Sequence, residues 1–186
     1  AYIIATPNFT HIKILEKILK TNKHLLIEKP LCTTIDDCKK FQLISKDYSK
    51  VIWVGMEYRY MPPVKKLIER VHNKTLGKLK MVSIREHRFP FLKKVDNWNR
   101  FDSNTGGTMV EKCCHFFDLM RFITQSEVKQ VFASGSQDVN HLDEKYNGKV
   151  PDIIDNGFVI IDFQSGVRGL LDLCMFAENS EYQEEV

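Results

Sequence analysis

The sequence predicts an α/β chain: a parallel sheet with crossover helices, followed by an α+β part with a larger, mostly antiparallel sheet. Three observations carry this. Short apolar runs at residues 2–5, 24–27 and 51–55 alternate with segments of helical period, the pattern of βαβ units. From Leu79 the runs lengthen and begin to alternate, as in sheets covered on one face. No repeat or low-complexity tract interrupts the 186 residues, a length that suits one full domain or two small ones.

The elements follow in order. Residues 2–5 form a buried strand, closed by the turn Thr6-Pro7-Asn8, because proline cannot continue the ladder. Ile12, Leu15, Ile18 and Leu19 make one helical stripe, and that helix ends near Asn22. A second buried strand, 24–27, closes at Glu28-Lys29-Pro30. Thr34 with Asp37 three residues on is an N-cap for a helix reaching about Tyr48. A third strand at 51–55 precedes a helix opened by Pro62-Pro63 and carrying Val64, Leu67, Ile68 and Val71. Gly77 follows it. A domain boundary is expected at about 60–78, leaving residues 1–60 and 61–186 as the two parts. Beyond it come a polar, aromatic loop at 90–105, Gly106-Gly107, one helix over 108–123, and strands at 128–136, 153–163 and 167–176.

Hydrophobic residues at 43% and charged residues at 27% are ordinary for a globular protein. The 27 Lys and Arg against 24 Asp and Glu are scattered, with short doublets such as Lys39-Lys40 and Lys93-Lys94; this reads as a solvated surface, not a nucleic-acid footprint. No apolar run approaches the ~20 residues of a membrane span. Five cysteines without CxxC spacing indicate reduced thiols in a cytosol-like compartment. The chain opens inside a strand without methionine, so it is expected to be a fragment with further sequence before it, and strands are expected to follow its polar end.

Two residues stand out for chemistry. Lys29 lies at the carboxyl end of a parallel strand, the edge where doubly wound sheets bind ligands. An ammonium there can donate to a substrate oxygen and stabilise a developing alkoxide. Read alone, Lys29 is more readily an exposed lysine at a strand end. His115 has Glu111 four residues before it and Asp118 three after, so on one helix a carboxylate can orient the imidazole. A histidine titrates near neutrality and can take up and return a hydroxyl proton. The alternatives are a surface Glu-His pair or an imidazole held in the core beside Phe116, Phe117 and Met120. A metal cluster of Glu111, Cys113, Cys114, His115 and Asp118 is disfavoured because neither CxxC nor HExxH occurs, and the thiols are better read as small buried hydrophobes. Thr6-Pro7-Asn8, with His11 at the following helix start, is a loop where a cofactor phosphate or ribose can rest, or simply a strand-to-helix turn.

Order and spacing together are more specific. Thr6-Pro7-Asn8 with His11, then Lys23 through Glu28-Lys29-Pro30, then Tyr58-Arg59-Tyr60, then Gly77-Lys78-Leu79, then Gly106-Gly107 with His115 and Asp118, resemble the Gfo/Idh/MocA oxidoreductases over nearly the whole chain. The resemblance implies the later portion of a Rossmann domain binding NAD or NADP over residues 1–60. It implies an α+β substrate and oligomerisation domain over 61–186, with substrate held between the domains and the open face of the second sheet making a homo-oligomer contact. It further implies catalytic roles for Lys29 and His115, and substrate binding by Glu111 and Arg59. Cofactor contacts are implied for Thr6, Pro7, Asn8, His11, Glu28, Lys29, Pro30 and Tyr58.

Two departures matter. Glu111 carries one methylene more than the usual aspartate, and no GxGxxG pyrophosphate turn occurs anywhere in the sequence. The expected reaction is NAD(P)-dependent oxidation or reduction at a secondary alcohol of a sugar, cyclitol or similar polyol. The competing readings are a non-catalytic dinucleotide-binding sensor or scaffold and a metal-dependent hydrolase.

Overall fold

Three short strands, β1 (Tyr2–Ile4), β2 (Leu25–Ile27) and β3 (Ile52–Val54), lie parallel in that order. They belong to the first of two compact units in the computed structural model, which describes residues 1–186. This unit comprises Ala1–Met56 with Lys93–Cys114; the second comprises Glu57–Leu92 with His115–Val186. Neither is contiguous in sequence. No helix is long and apolar enough to cross a membrane.

In the first unit the crossovers are α1 (His11–Ile18), continued by a 3-10 turn to Thr21, and α2 (Ile35–Ser45). The Thr34 side chain accepts from the Asp37 amide at 3.1 Å, the cap expected from the sequence. Ile4, Leu25 and Ile27 meet Leu15, with Ile14, Ile18, Phe41 and Ile52 packed around them. The first two strands were expected to be buried, yet Ile3 and Leu26 are exposed, in one cross-strand row with the exposed Trp53 of β3. A strand's side chains alternate faces, so covering one face leaves the other row out. Residues 93–114 add a loop of 3-10 turns over Val95–Arg100, in which Asp96 and Asn97 adopt left-handed φ values of 54° and 52°. Then come α4 (Asp102–Thr105) and α5 (Thr108–Glu111). Gly106, between them, has φ +79°, and a Cβ there would stand 2.6 Å from the Thr33 carbonyl oxygen.

The single helix expected over 108–123 is thus two. It breaks at Lys112 and Cys113 and resumes as α6 (Cys114–Thr124).

The second unit is built on a five-stranded sheet of order β5-β6-β7-β4-β8. Its strands are β4 (Met81–His87), β5 (Val128–Ser136), β6 (Asn156–Phe163), β7 (Arg168–Cys174) and the short β8 (Glu184–Glu185). All neighbours run antiparallel except β4 and β7, which are parallel; alternation in β4 reported one-sided burial, not strand direction. Helix α3 (Pro62–His72) opens with the expected prolines. On the buried side of the sheet, Gly169 leaves room for Met120 of α6, since an added Cβ would lie 3.0 Å from its Sδ. The other side carries exposed Phe132, Phe158 and Ile160.

Candidate active site

Parallel pairing of β1 with β2 brings two loops side by side at their carboxyl ends. Ile4 is in register with Ile27, and the Glu28 amide donates to the Ile4 carbonyl at 2.8 Å. Thr6-Pro7-Asn8 leaves one strand and Glu28-Lys29-Pro30 the other. His11, the first residue of α1, is fully buried, and its ring nitrogens lie 2.9 Å from the carbonyl oxygens of Pro30 and Thr6. It therefore ties the two loops together through their backbones.

A cleft of about 850 Å³ opens at this edge, lined by Thr6, Pro7, Asn8, Glu28, Lys29 and Glu111. His11 and Pro30 are buried and do not line it. Lys29 Nζ donates to the Glu111 carbonyl at 2.7 Å. The Glu111 side chain is 6% exposed, accepts from the Asn8 amide through Oε2, and pairs with Lys94 through Oε1 at 3.3 Å. Burying a carboxylate is tolerable only when it is paired and hydrogen-bonded, as here.

Among the lining residues not anticipated as site residues are Phe9, Lys94 and Trp98. Lys94 Nζ lies 4.7 Å from the Trp98 ring centre, a cation–π contact, and Trp98 meets Phe9 edge-on at 6.3 Å. The doublet Lys93-Lys94 was read as solvated surface; both residues line the cleft. Nothing in their local spacing distinguishes them, because the loop that places them is irregular.

His115, in the first turn of α6, is in the second unit. The sequence expectation placed Glu111 and Asp118 beside it on one continuous helix. The break at Lys112 removes that geometry, since i and i+4 share a face only while the helix is unbroken. The carboxylate beside the imidazole is instead Glu57, with Oε1 3.5 Å from Nε2. Tyr58 stacks on the ring at 4.3 Å between centres and 9° between planes, and its hydroxyl donates to Glu184. Arg59 gives its guanidinium to Asp118, Nε to Oδ2 at 2.6 Å, and lies 4.3 Å over Phe122. The bond to Asp118 pushes the guanidinium pKa further up, against its partial burial.

The cysteines are all free thiols. Burial, and then the neighbouring Cys38, push the Cys32 thiol up to about 12, so it is not an available thiolate near neutrality. No group of three His, Cys, Asp or Glu side chains is disposed to hold a metal ion.

Residues 1–56 match the family model described as "Oxidoreductase family, NAD-binding Rossmann fold", and residues 68–186 match its companion, "Oxidoreductase family, C-terminal alpha/beta domain" (Gfo/Idh/MocA). Myo-inositol 2-dehydrogenase of Thermotoga maritima is 31% identical over 172 residues, covering 92% of this chain and 48% of the relative. Inositol 2-dehydrogenase of Rhizobium meliloti is 26% identical, covering 92% and 49%. A crystal structure described as a "probable dehydrogenase from Thermotoga maritima" superimposes with a TM-score of 0.78 at 29% identity, covering 99% of this chain and 51% of that one. The chain spans about half the length of the curated relatives it matches.

Proposed function

The chain belongs to the Gfo/Idh/MocA oxidoreductase family, and from that premise we propose that the protein transfers hydride between a nicotinamide dinucleotide and a secondary alcohol of a polyol. The observation that carries this reading is the cleft at the β1–β2 edge, where Lys29 and Glu111 are fixed against each other and exposed to one cavity. The names of the inositol dehydrogenases among its relatives support a cyclitol or sugar-like substrate.

The residues present suit the nicotinamide end of such a cofactor. Thr6, Pro7, Asn8 and Glu28 form a strand-end rim of mixed polarity around a cleft of about 850 Å³. No residue of this chain is assigned to the pyrophosphate, and either NAD or NADP is compatible with the rim. When bound, the nicotinamide supplies the hydride acceptor or donor.

The chain's own residues then have distinct tasks. Lys29 donates to the substrate oxygen and stabilises the charge that grows on it as the C–H bond breaks. His115 takes the hydroxyl proton. Glu111, with Lys94 beside it, accepts from a neighbouring hydroxyl and selects substrates that carry one. Arg59 acts through Asp118, holding α6, and Tyr58 sets the plane of the imidazole. Both readings rest on the bonds that Arg59 and Tyr58 make within the second unit.

The open face of the second sheet, with Phe132, Phe158 and Ile160, suits a contact with a second copy. The direct test is reduction of NAD and NADP by the full-length protein against a panel of cyclitols, sugars and acyclic polyols. Turnover with at least one polyol is expected. Dinucleotide binding without turnover on any alcohol would point to a sensor or scaffold.

A further inference from the structure

Oxidation of an alcohol releases one proton per turnover. The substrate loses its O–H proton to a base and its C–H hydride to the nicotinamide, the C–O bond becomes C=O, and the base must shed the proton before the next cycle. The His115 side chain is only 3% exposed, so it cannot do this by direct contact with bulk water. Glu57 is 58% exposed, and its Oε1 lies 3.5 Å from His115 Nε2. We propose that Glu57 is the proton outlet of the site: a relay residue that accepts the proton from His115 and passes it to solvent.

Three features support the assignment. First, the path has the right ends, a buried imidazole and an exposed carboxylate, at ion-pair distance. Closing to a hydrogen bond requires the carboxylate to approach by only about 0.5 Å. Second, the ring is held for it. Tyr58, the next residue after Glu57, stacks on the imidazole and is itself anchored through its hydroxyl to Glu184, so the two consecutive residues fix and serve the same ring.

Third, the electrostatics favour it. His115 sits in the first turn of α6, where the positive end of the helix dipole disfavours an imidazolium. Asp118, one turn along, is taken by Arg59, and Glu184 by the Tyr58 hydroxyl. Glu57 is the carboxylate placed at the imidazole nitrogen itself. His115 takes the proton at Nε2, its Nδ1 being buried, and the same nitrogen passes it to Oε1 and on to water, so imidazole and carboxylate are both restored and no electrons are exchanged.

The proposal rests on His115 being the proton-transfer residue, and the experiment separates the two. In the full-length holoenzyme, Glu57→Gln and Glu57→Asp are compared with His115→Ala at low buffer concentration. Glu57→Gln is expected to lower kcat by about tenfold with KM changed by less than about twofold. Glu57→Asp restores part of the loss, and adding a small diffusible buffer such as imidazole restores kcat in Glu57→Gln. Independently of turnover, the His115 ring, followed by NMR in the substrate-free protein, titrates at lower pH in Glu57→Gln, because the carboxylate that favours its charged form is gone. Unchanged kcat in Glu57→Gln, or a loss that buffer does not rescue, overturns the relay even if His115→Ala is inactive. Full activity in His115→Ala overturns the underlying assignment instead. Glu57 is largely exposed, so its variants are expected to fold, and far-UV circular dichroism checks that they do.

Discussion

Lys29 Nζ donates to the backbone carbonyl of Glu111 at 2.7 Å, joining residues 82 positions apart. The ammonium is thereby aimed before any ligand arrives, and the bond locks the carboxylate-bearing turn against the strand-end loop. Replacing Lys29 by Met in the full-length protein is expected to lower kcat by about a hundredfold or more, the scale of losing one aimed donor to a developing oxyanion. Lys29→Arg should not recover it, because a planar guanidinium cannot take the same position. Steady-state kinetics with circular dichroism as a fold check decide this; turnover within about threefold of wild type would remove Lys29 from the reaction.

Asp155 supplies a pH-dependent stability. It is buried, and its carboxylate accepts from the amides of Asp138, Val139 and Asn140, the last at 2.7 Å, and from Asn156 Nδ2 at 2.9 Å. Burial by itself raises its pKa, but these donors outweigh that and hold the carboxyl below its ordinary value. A depressed folded pKa means that stability is fully present above the unfolded value of about 3.9 and is lost as pH falls through the folded one. Asp155→Asn is expected to cost about 2 kcal/mol near neutrality. The gap to wild type should narrow in urea melts at about pH 3 relative to about pH 7. A gap that stays constant with pH would show that the charge is not the stabilising element.

Gly106 is required twice over, by its φ of +79° and by the Thr33 carbonyl 2.6 Å from where a Cβ would stand. Gly106→Ala should therefore destabilise the first unit by at least about 2 kcal/mol, read as a lower urea midpoint. Because α5 carries Glu111, turnover should fall with it. A neutral substitution would mean that the backbone can relax away from Thr33.

The open sheet face gives a solution test. Phe132 of β5 faces Ile160 of β6 in register, with Phe158 two residues along β6. Phe158→Glu in the full-length protein should weaken self-association by about 2 kcal/mol, roughly thirtyfold. Sedimentation velocity would show the change in mass. An oligomer of unchanged affinity would place the interface elsewhere.

Much of the first unit was legible because its determinants are local. Prolines at turns, the Thr34 cap, the stripe containing Ile12 and Leu15, and the strand ends that place Thr6 and Lys29 all depend on neighbours within a few residues. Period also located β4 through β7, but not their directions, since alternation reports which face is buried and not which way a partner runs. Helical spacing misled at Glu111 and His115. They are i and i+4 in sequence, yet Lys112 and Cys113 interrupt the helix, so the two do not share one helical face.

By itself, then, the sequence determined the fold class, the parallel edge that carries Lys29, and the motif order that marks the family, because these are properties of short segments and their order. Only the tertiary structure decided that Glu111 is held by Asn8, Lys29 and Lys94, and that Glu57 and Tyr58 are the companions of His115. Those contacts span 17 to 103 residues for Glu111. Through-space electrostatics and ring stacking between such distant positions leave no period, spacing or composition in the chain.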